Sequence, residues 1–362
     1  MKTKFIPGLQ FCGQFYAQAV RPLLEKYFPS LEYSAALLGD GSETLGFDTP
    51  MSTDHHWGPR VMLFVRETDL NLAPRIHQML AENLPYSFMG YSTHFSEPNP
   101  DDNGVQHLTM VDSGPVNHRV TVQTPLSLLA DHLGLNHTET LSPVDWLSIP
   151  EQRLLTLTAG AVYHDGIGLE EVRQRFSYYP REVWLYLLAC GWARVGQEEH
   201  LMGRAGLVGD EIGSALIGAR LVRDIMRLCF LMERRYAPYP KWFGTAFKRL
   251  ACGPELYPAL RKVLSARSWQ TRQKHLIPAY EFIARKHNAL GLTKPLPDTT
   301  LEFFGRPFQV IALHGFAGAL LAEISAPAIT ALPLIGSVDQ WSDNTDLLEN
   351  NNLRSQIAGM YS

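Results

Sequence analysis

Hydrophobic spacing divides this chain into two kinds of segment. Residues 8–27 place Leu9, Phe11, Phe15, Tyr16, Ala19, Leu23 and Leu24 near helical spacing, which predicts an amphipathic opening helix that Pro22 bends and Pro29 ends. Residues 33–38 are small and apolar and read as a buried strand; the run gives way to a turn at Gly39-Asp40-Gly41-Ser42. A second apolar run at 61–65 predicts another strand, and residues 72–83, carrying Ile76, Met79 and Leu80, predict a short helix. Residues 85–115 are rich in Ser, Asn, Asp, Gly and Pro and read as loops with at most one short strand at 108–111. Strong alternation at 118–124 predicts a strand, followed by a helix over 126–133 that stops at Gly134. Strands alternating with helices indicate an α/β domain.

The pattern changes near Ser142-Pro143. Helical spacing recurs at 151–162, 168–176, 180–193, 210–235, 240–250, 255–264, 269–288 and 308–324, and strand signals are scarce. The expected architecture is α+β: an N-terminal mixed-sheet α/β domain over residues 1–145 and a mainly helical domain over 146–362. The length of 362 residues favours two domains on its own, because single cores stop growing below that size. The polar tail, 343–362, is expected to pack loosely.

Composition narrows the function classes. Apolar content of 45% and charged content of 19% describe an ordinary globular chain. A net charge of −4 provides no basic field, so a nucleic-acid partner is not expected. Cys12, Cys190, Cys229 and Cys252 are far apart, form no C-x-x-C pair, and read as reduced thiols. Gln10, Gln14 and Gln18 interrupt the apolar residues near the N-terminus, which argues against a signal peptide, and no apolar run reaches bilayer length. A cytoplasmic protein without a membrane partner is the expectation.

The candidate chemistry centres on residues 38–65. A glycine beside a hydroxyl at a strand end, as in Gly41-Ser42, lets backbone N–H groups approach a phosphate. Asp54 and His56 are two apart, so on an extended segment both side chains share a face. Asp54 reads either as a Mg²⁺ ligand or as a turn aspartate. His56 suits Mn²⁺ or Zn²⁺ better than Mg²⁺. Arg60 reads as a phosphate contact or as a salt-bridge partner, and His55 as a ligand or a structural hydrogen-bonding residue. No G-x-S-x-G or H-E-x-x-H motif occurs, and Gly39-Asp40-Gly41 lacks the third glycine of a dinucleotide fingerprint.

Gly-Ser followed about a dozen residues later by Asp-x-Asp resembles the signature of the nucleotidyltransferase-fold superfamily, which includes aminoglycoside adenylyltransferases and kanamycin nucleotidyltransferase. Gly41, Ser42 and Asp54 match it. The chain more closely resembles a mostly uncharacterised bacterial group with this fold. Residues 41–49 match its Gly-Ser-Glu-x-Leu-Gly-Phe-Asp-Thr, and 52–60 match its Ser-x-Asp-His-Asp-Trp-Gly-Pro-Arg, with His56 standing at the second carboxylate. The likeness extends to Tyr178-Tyr179-Pro180, to 236–244 and to Arg306-Pro307-Phe308. A third acid is expected on a later strand, but 118–124 contains none. Thr121 stands near that place, and Asp112 is a distant substitute.

The resemblance implies a nucleotidyltransferase-like first domain and a helical domain closing over the site. It implies transfer of a nucleoside monophosphate from an NTP, with ATP the first choice, to a small hydroxylated acceptor. Mg²⁺ or Mn²⁺ would be held by Asp54 and His56, and the phosphates by Gly41, Ser42 and Arg60. A carboxylate base is common among these relatives; Glu198, Glu199 and Asp210 are candidates, Asp210 also reading as a helix N-cap. Arg204 and Lys241, beside glycines and aromatics, are expected to face the same cleft as Asp54 and to help hold the nucleotide. The alternatives are a catalytically degenerate relative that binds a nucleotide or other small ligand, and an enzyme that modifies a protein.

Overall fold

The computed structural model describes residues 5–54, 57–102, 104–135 and 140–361. In chain order the elements are α1 (Gly8–Phe15), a π-helical turn (Tyr16–Val20), α2 (Arg21–Tyr27), β1 (Tyr33–Leu37), β2 (Arg60–Val65), α3 (Ala73–Asn83), β3 (Ser87–Phe88), β4 (Tyr91–Ser92), β5 (Arg119–Gln123), α4 (Pro125–Leu133), α5 (Pro143–Ser148), α6 (Glu151–Thr158), β6 (Ala161–Asp165) and α7 (Leu169–Gln174). There follow α8 (Arg181–Leu207), α9 (Glu211–Met232), α10 (Pro240–Phe247), α11 (Gly253–Ser265), α12 (Trp269–Ala289), β7 (Leu301–Phe303), β8 (Arg306–Val310), α13 (Phe316–Leu321), α14 (Pro327–Thr330), α15 (Val338–Trp341), α16 (Thr345–Glu349) and α17 (Arg354–Ala358). The protein is α+β with a mixed sheet. It divides into two compact units, Met1–Glu139 with Arg153–Ser177, and Thr140–Gln152 with Tyr178–Ser362. The chain therefore crosses between units three times, where the sequence suggested a single crossing near residue 145.

The first unit is built on a four-stranded sheet in the order β5-β2-β1-β6. β1 is antiparallel to β2, with Ala35 opposite Leu63, and antiparallel to β6; β2 and β5 are parallel, with Arg60 opposite Arg119. All five residues of β1 are buried, as its unbroken run of small and apolar residues predicts for a central strand. Phe11, Phe15, Val20 and Leu24 of the opening helical segment pack with Ala35, Val61, Leu63, Ile76, Leu80 and Val120 into one core. The π turn precedes Pro22, and this widened turn carries the continuous helical segment past the proline's missing N–H. α4 opens with a capping box between Thr124 and Ser127 and ends at Gly134, in the left-handed conformation, as its glycine predicted.

β6 is the strand that the pattern did not reveal. The helix expected over 151–162 stops at Thr158, and Gly160 turns the chain into the sheet. Gly160 has φ +76°, and a Cβ there would sit 2.1 Å from the carbonyl oxygen of Leu37, so only glycine lets the turn close against β1. The short strand expected at 108–111 reduces to a single bridge between Phe95 and Leu108.

The second unit is helical apart from one hairpin. α8 is a single helix of 27 residues rather than one ending at 193, and it packs against α9. Its glycines allow close approach: a Cβ at Gly206 would lie 2.3 Å from Trp269, and one at Gly203 2.5 Å from Phe308. The helix expected over 308–324 is replaced at its start by the β7–β8 hairpin, with Leu301 opposite Val310. The run Arg306-Pro307-Phe308-Gln309-Val310 places Phe308 and Val310 on one buried face, the period of a strand. The polar tail is docked, in contrast to the loose packing expected. Ile357 and Tyr361 are buried, and the Tyr361 hydroxyl donates to the Gly336 carbonyl at 2.7 Å. Among the described residues no helix is long and apolar enough to cross a membrane, and all four cysteines are free and buried.

Gly160, which packs against β1, and Gly39, which does not, make a test of this packing. Gly39 also has positive φ, at +82°, but a Cβ there meets nothing within 4 Å. Gly39→Ala should cost about 1 kcal/mol of backbone strain, and Gly160→Ala, which adds a steric clash, clearly more than about 2 kcal/mol. Urea denaturation of the two variants checks this; equal costs would contradict the described close approach.

Candidate functional site

β1 ends in a turn assembled from its own sequence. The Gly39 N–H donates to the Thr156 carbonyl at 3.0 Å, and the Gly160 N–H to the Thr44 carbonyl at 2.9 Å, so α6 and the start of β6 hold both sides of the turn. The Thr44 hydroxyl lies 2.8 Å from the Gly39 carbonyl and 2.7 Å from that of Gly41, and ties the loop to itself. Behind it, buried His132 brings Nε2 to 2.8 Å from the Thr156 hydroxyl. Burial holds this imidazole below its ordinary range, so it stays neutral. Gly41 is exposed and Ser42 half-buried. Gly41 has φ +133°, which only glycine adopts freely. Among the described residues the N–H groups of Gly41 and Ser42 meet no acceptor.

Glu43 turns inward beneath this loop. It is buried and forms an ion pair with Arg60, the first residue of β2. Its carboxylate fills the space where a Gly41 side chain would begin, 2.6 Å from the Cβ position, and its own Cβ lies 2.6 Å from that of a residue replacing Gly8. The Glu43–Arg60 pair thus fixes the turn between the helix α1 start and strand β2. Arg60 is the salt-bridge partner of the two readings its sequence allowed, and Glu43, which motif reasoning passed over, is the residue that joins Arg60 to Gly41. Arg119, beside Arg60 on β5, has its guanidinium over the Phe95 ring at 5.7 Å. Burial and the Arg60 charge lower its pKa, while Glu43 opposes the shift. Asp48 has a structural job too, accepting from the Gly8 N–H at 2.6 Å at the start of α1. Trp57 stacks on Phe11 with centroids 5.2 Å apart. These contacts account for Glu43, Asp48, Trp57 and Arg60 in the matched pattern as architecture of the turn.

Asp54 is the last residue of a 3₁₀ turn, Pro50–Asp54. His55 and His56 lie outside the described residues. Thr121, at the place of the expected third acid, is exposed on the edge strand β5 and pairs with Met62. Among the described residues no group of three or more His, Cys, Asp or Glu is placed to hold a metal ion.

Gly41, Ser42, Asp54 and Arg60 belong to the first unit; Glu199, Arg204, Asp210 and Lys241 belong to the second. Glu199 is buried, and its two oxygens accept from the amides of Ile311 at 2.8 Å and Ala312 at 3.2 Å, anchoring the end of β8 to α8. Burial pushes its carboxyl up to about 7 against those two bonds. Asp210 caps α9 through the Gly213 N–H at 2.7 Å. Both residues have structural jobs. Glu198 is likewise committed, to Arg194 at 3.1 Å and Arg220 at 2.7 Å. Arg204 is exposed in the last turn of α8, where a cation complements the helix dipole. It lies five residues from buried Glu199, on the opposite side of the helix. Lys241 is exposed in the first turn of α10, with its Nζ 5.2 Å from the ring of its neighbour Trp242. The run 236–244 is a helix start at Pro240: Tyr236 packs in a cluster with Tyr178 and Tyr179, and Phe243 stacks on Phe230.

The second unit also holds a buried acidic pair that sequence reasoning missed. Glu151 donates its N–H to Asp339 Oδ2 at 2.8 Å, accepts from the Ala237 N–H at 2.6 Å, and faces Arg227 at 4.0 Å. Burial, then the Asp339 charge, push Glu151 up to about 7, with Arg227 opposing. Residues 188 apart meet here, and no local pattern announces such a pair.

Residues 146–243 match a family described as a domain of unknown function (DUF4037). Among curated proteins none matches the chain. Among solved structures, the chain is similar to a nucleotidyltransferase-like protein from Exiguobacterium sibiricum 255-15, with 12% identity and a TM-score of 0.33, over 84% of this chain and 88% of that one. A likeness at that score does not fix a fold.

Two outcomes follow from the site. Glu43→Ala leaves the Arg60 guanidinium buried without its partner and should cost about 3 kcal/mol, part of which Arg60→Leu in the same chain should restore. Denaturation of the two single variants and the double variant measures this, and strictly additive losses would contradict the pairing. The second outcome concerns pH. The folded-state pKa of Glu199 lies above its unfolded value, so the fold holds a proton that the unfolded chain releases between about 4.5 and 7. Stability from this group is present below that window and is lost as pH rises through it. Glu199→Gln should therefore gain on the wild type by up to about 1.4 kcal/mol per pH unit across the window, and no further above about pH 8. Parallel stability curves for the two proteins would contradict the shift.

Proposed function

We propose that this protein is nucleotidyltransferase-like: it seats the phosphates of an NTP, ATP first among them, on the Gly41-Ser42 turn and transfers the nucleoside monophosphate to a small hydroxylated acceptor. The observation that carries this reading is the turn. A fully buried strand delivers an exposed glycine at positive φ and a half-buried serine whose amides meet no acceptor among the described residues. Such a concavity of N–H groups favours an anion. Arg60 and Arg119, at adjacent strand starts, are cations of the same unit that support an anion there.

In the transfer, the acceptor oxygen bonds to the α-phosphorus as the bond to pyrophosphate breaks, and the acceptor proton leaves to solvent or a carboxylate. Little covalent work is asked of the protein beyond positioning. The residues that would hold a divalent ion are Asp54 and His56. One carboxylate and one imidazole fit an ion that phosphate oxygens also bind, Mn²⁺ in preference to Mg²⁺. When bound, that ion supplies neutralisation of phosphate charge. The second reading is binding without transfer; it is favoured by Thr121, exposed on β5 where an acid is expected.

Calorimetry with ATP tests the binding. Ser42→Ala should weaken it about fivefold, the worth of one hydrogen bond, and Gly41→Val should remove it, with circular dichroism to verify that the variant folds. Pyrophosphate release with an acceptor panel, for wild type, His56→Asp and Asp54→Asn with Mg²⁺ and with Mn²⁺, separates the two readings. Transfer predicts Mn²⁺-favoured release lost in Asp54→Asn, with His56→Asp shifting preference toward Mg²⁺. Equal background in all conditions with ATP still bound leaves binding alone.

A further inference from the structure

The second unit contains a cavity of about 290 Å³ between α8, α9 and the segment 334–341. Its wall is divided by chemistry. Cys190, Leu334 and Ile335 give an apolar side, and Arg194, Gln197 and Arg223 a polar one. Burial pushes the Cys190 thiol up to about 12, so that side of the wall stays uncharged. Gln340, also in the wall, is committed to its neighbours: its amide donates to the Leu187 carbonyl at 3.1 Å and accepts from the Ser337 N–H at 3.1 Å.

The two guanidiniums differ in how firmly they are held. Arg194 meets buried Glu198 at 3.1 Å, buried Asp224 at 3.5 Å and the Gln197 side-chain oxygen at 3.1 Å. Arg223 meets Asp224 through Nε at 3.3 Å, but its Nη1 meets Asp343, whose side chain is 66% exposed, at 3.1 Å. A carboxylate that exposed contributes little net energy to an ion pair. Asp224 thus sets the plane of the Arg223 guanidinium, and Asp343 occupies its outward edge as a replaceable anion. Asp224 also limits the ligand. Its buried negative charge between the two arginines opposes a dianion such as phosphate and tolerates a single carboxylate.

We propose that this cavity binds a small monocarboxylate with an apolar tail. The carboxylate replaces Asp343 on the Arg223 fork and takes the Gln197 amide, and the tail lies on Cys190, Leu334 and Ile335. A volume at the lower edge of the range for ligand pockets, about 300–1,000 Å³, sets the size. Bidentate carboxylate recognition by a pre-set guanidinium is the strong form of this contact.

The test is calorimetry on the full chain with octanoate, and with octanamide as its neutral counterpart. Octanoate should bind saturably at one site, and octanamide about tenfold or more weaker. Arg223→Gln should weaken octanoate about tenfold, Ile335→Trp should fill the cavity and abolish binding, and Arg261→Gln, exposed on α11 and outside the wall, should change it less than about twofold. Absence of saturable binding to the folded wild type overturns the proposal. So does equal binding of octanamide, or binding that neither Arg223→Gln nor Ile335→Trp alters.

Discussion

The first unit depends on a carboxylate folded under its own turn. Glu43 follows exposed Gly41 and half-buried Ser42 and points inward to Arg60, the first residue of the neighbouring strand. A buried ion pair of this kind stabilises only while both partners are present, because an unpaired charge in the interior is costly. The pair links β1's turn to β2's start and lies against the α1 start at Gly8. Thr44, Thr156 and His132 brace the same turn from the other side. Glu43, Thr44 and His132 near the turn are thus committed inward, while among the described residues the amides of Gly41 and Ser42 meet no acceptor. Unused donors at a braced turn are the feature on which the proposed phosphate contact rests.

The second unit uses its acids differently. Glu199 secures the end of β8, Asp210 starts α9, and Glu151 meets Asp339 over a long loop of chain. These carboxylates replace backbone–backbone bonds where helices and hairpins end, so buried N–H groups are satisfied. Burial of Glu151 and Glu199 raises both carboxyls, making this unit's stability depend on pH from groups that hold structure.

Much of the fold was legible in sequence because its signals are local. The uninterrupted apolar run of β1, the alternation in β5, and the stop at Gly134 each appear within a few residues. β6 was hidden because Ala161-Val162 continues the apolar spacing of α6, and only the steric demand of Leu37 on Gly160 shows why the helix must stop. The β7–β8 hairpin was hidden because Phe308 and Val310 also suit a helix in a longer window. Of the candidate site, the Gly41-Ser42 turn was legible from glycine and hydroxyl chemistry. The jobs of Glu43 and Asp48 were not, nor was the partner of Arg60, since each is defined by a contact more than ten residues away in sequence. Glu199 and Asp210 drew notice as acids beside glycines, but acids serve amides at helix ends for the same electrostatic reason that they serve in catalysis.

The central claim is that the Gly41-Ser42 turn receives nucleotide phosphate. The most direct measurement is the amide resonances of protein labelled with ¹⁵N-glycine and ¹⁵N-serine, followed during an ATP titration with Mn²⁺-free Mg²⁺ buffer. The account predicts that Gly41 and Ser42 show the largest shifts and saturate together, while Gly209 and Gly213 of the second unit stay near their starting positions. Saturable ATP binding that leaves Gly41 and Ser42 unshifted, or no binding at all, would contradict it.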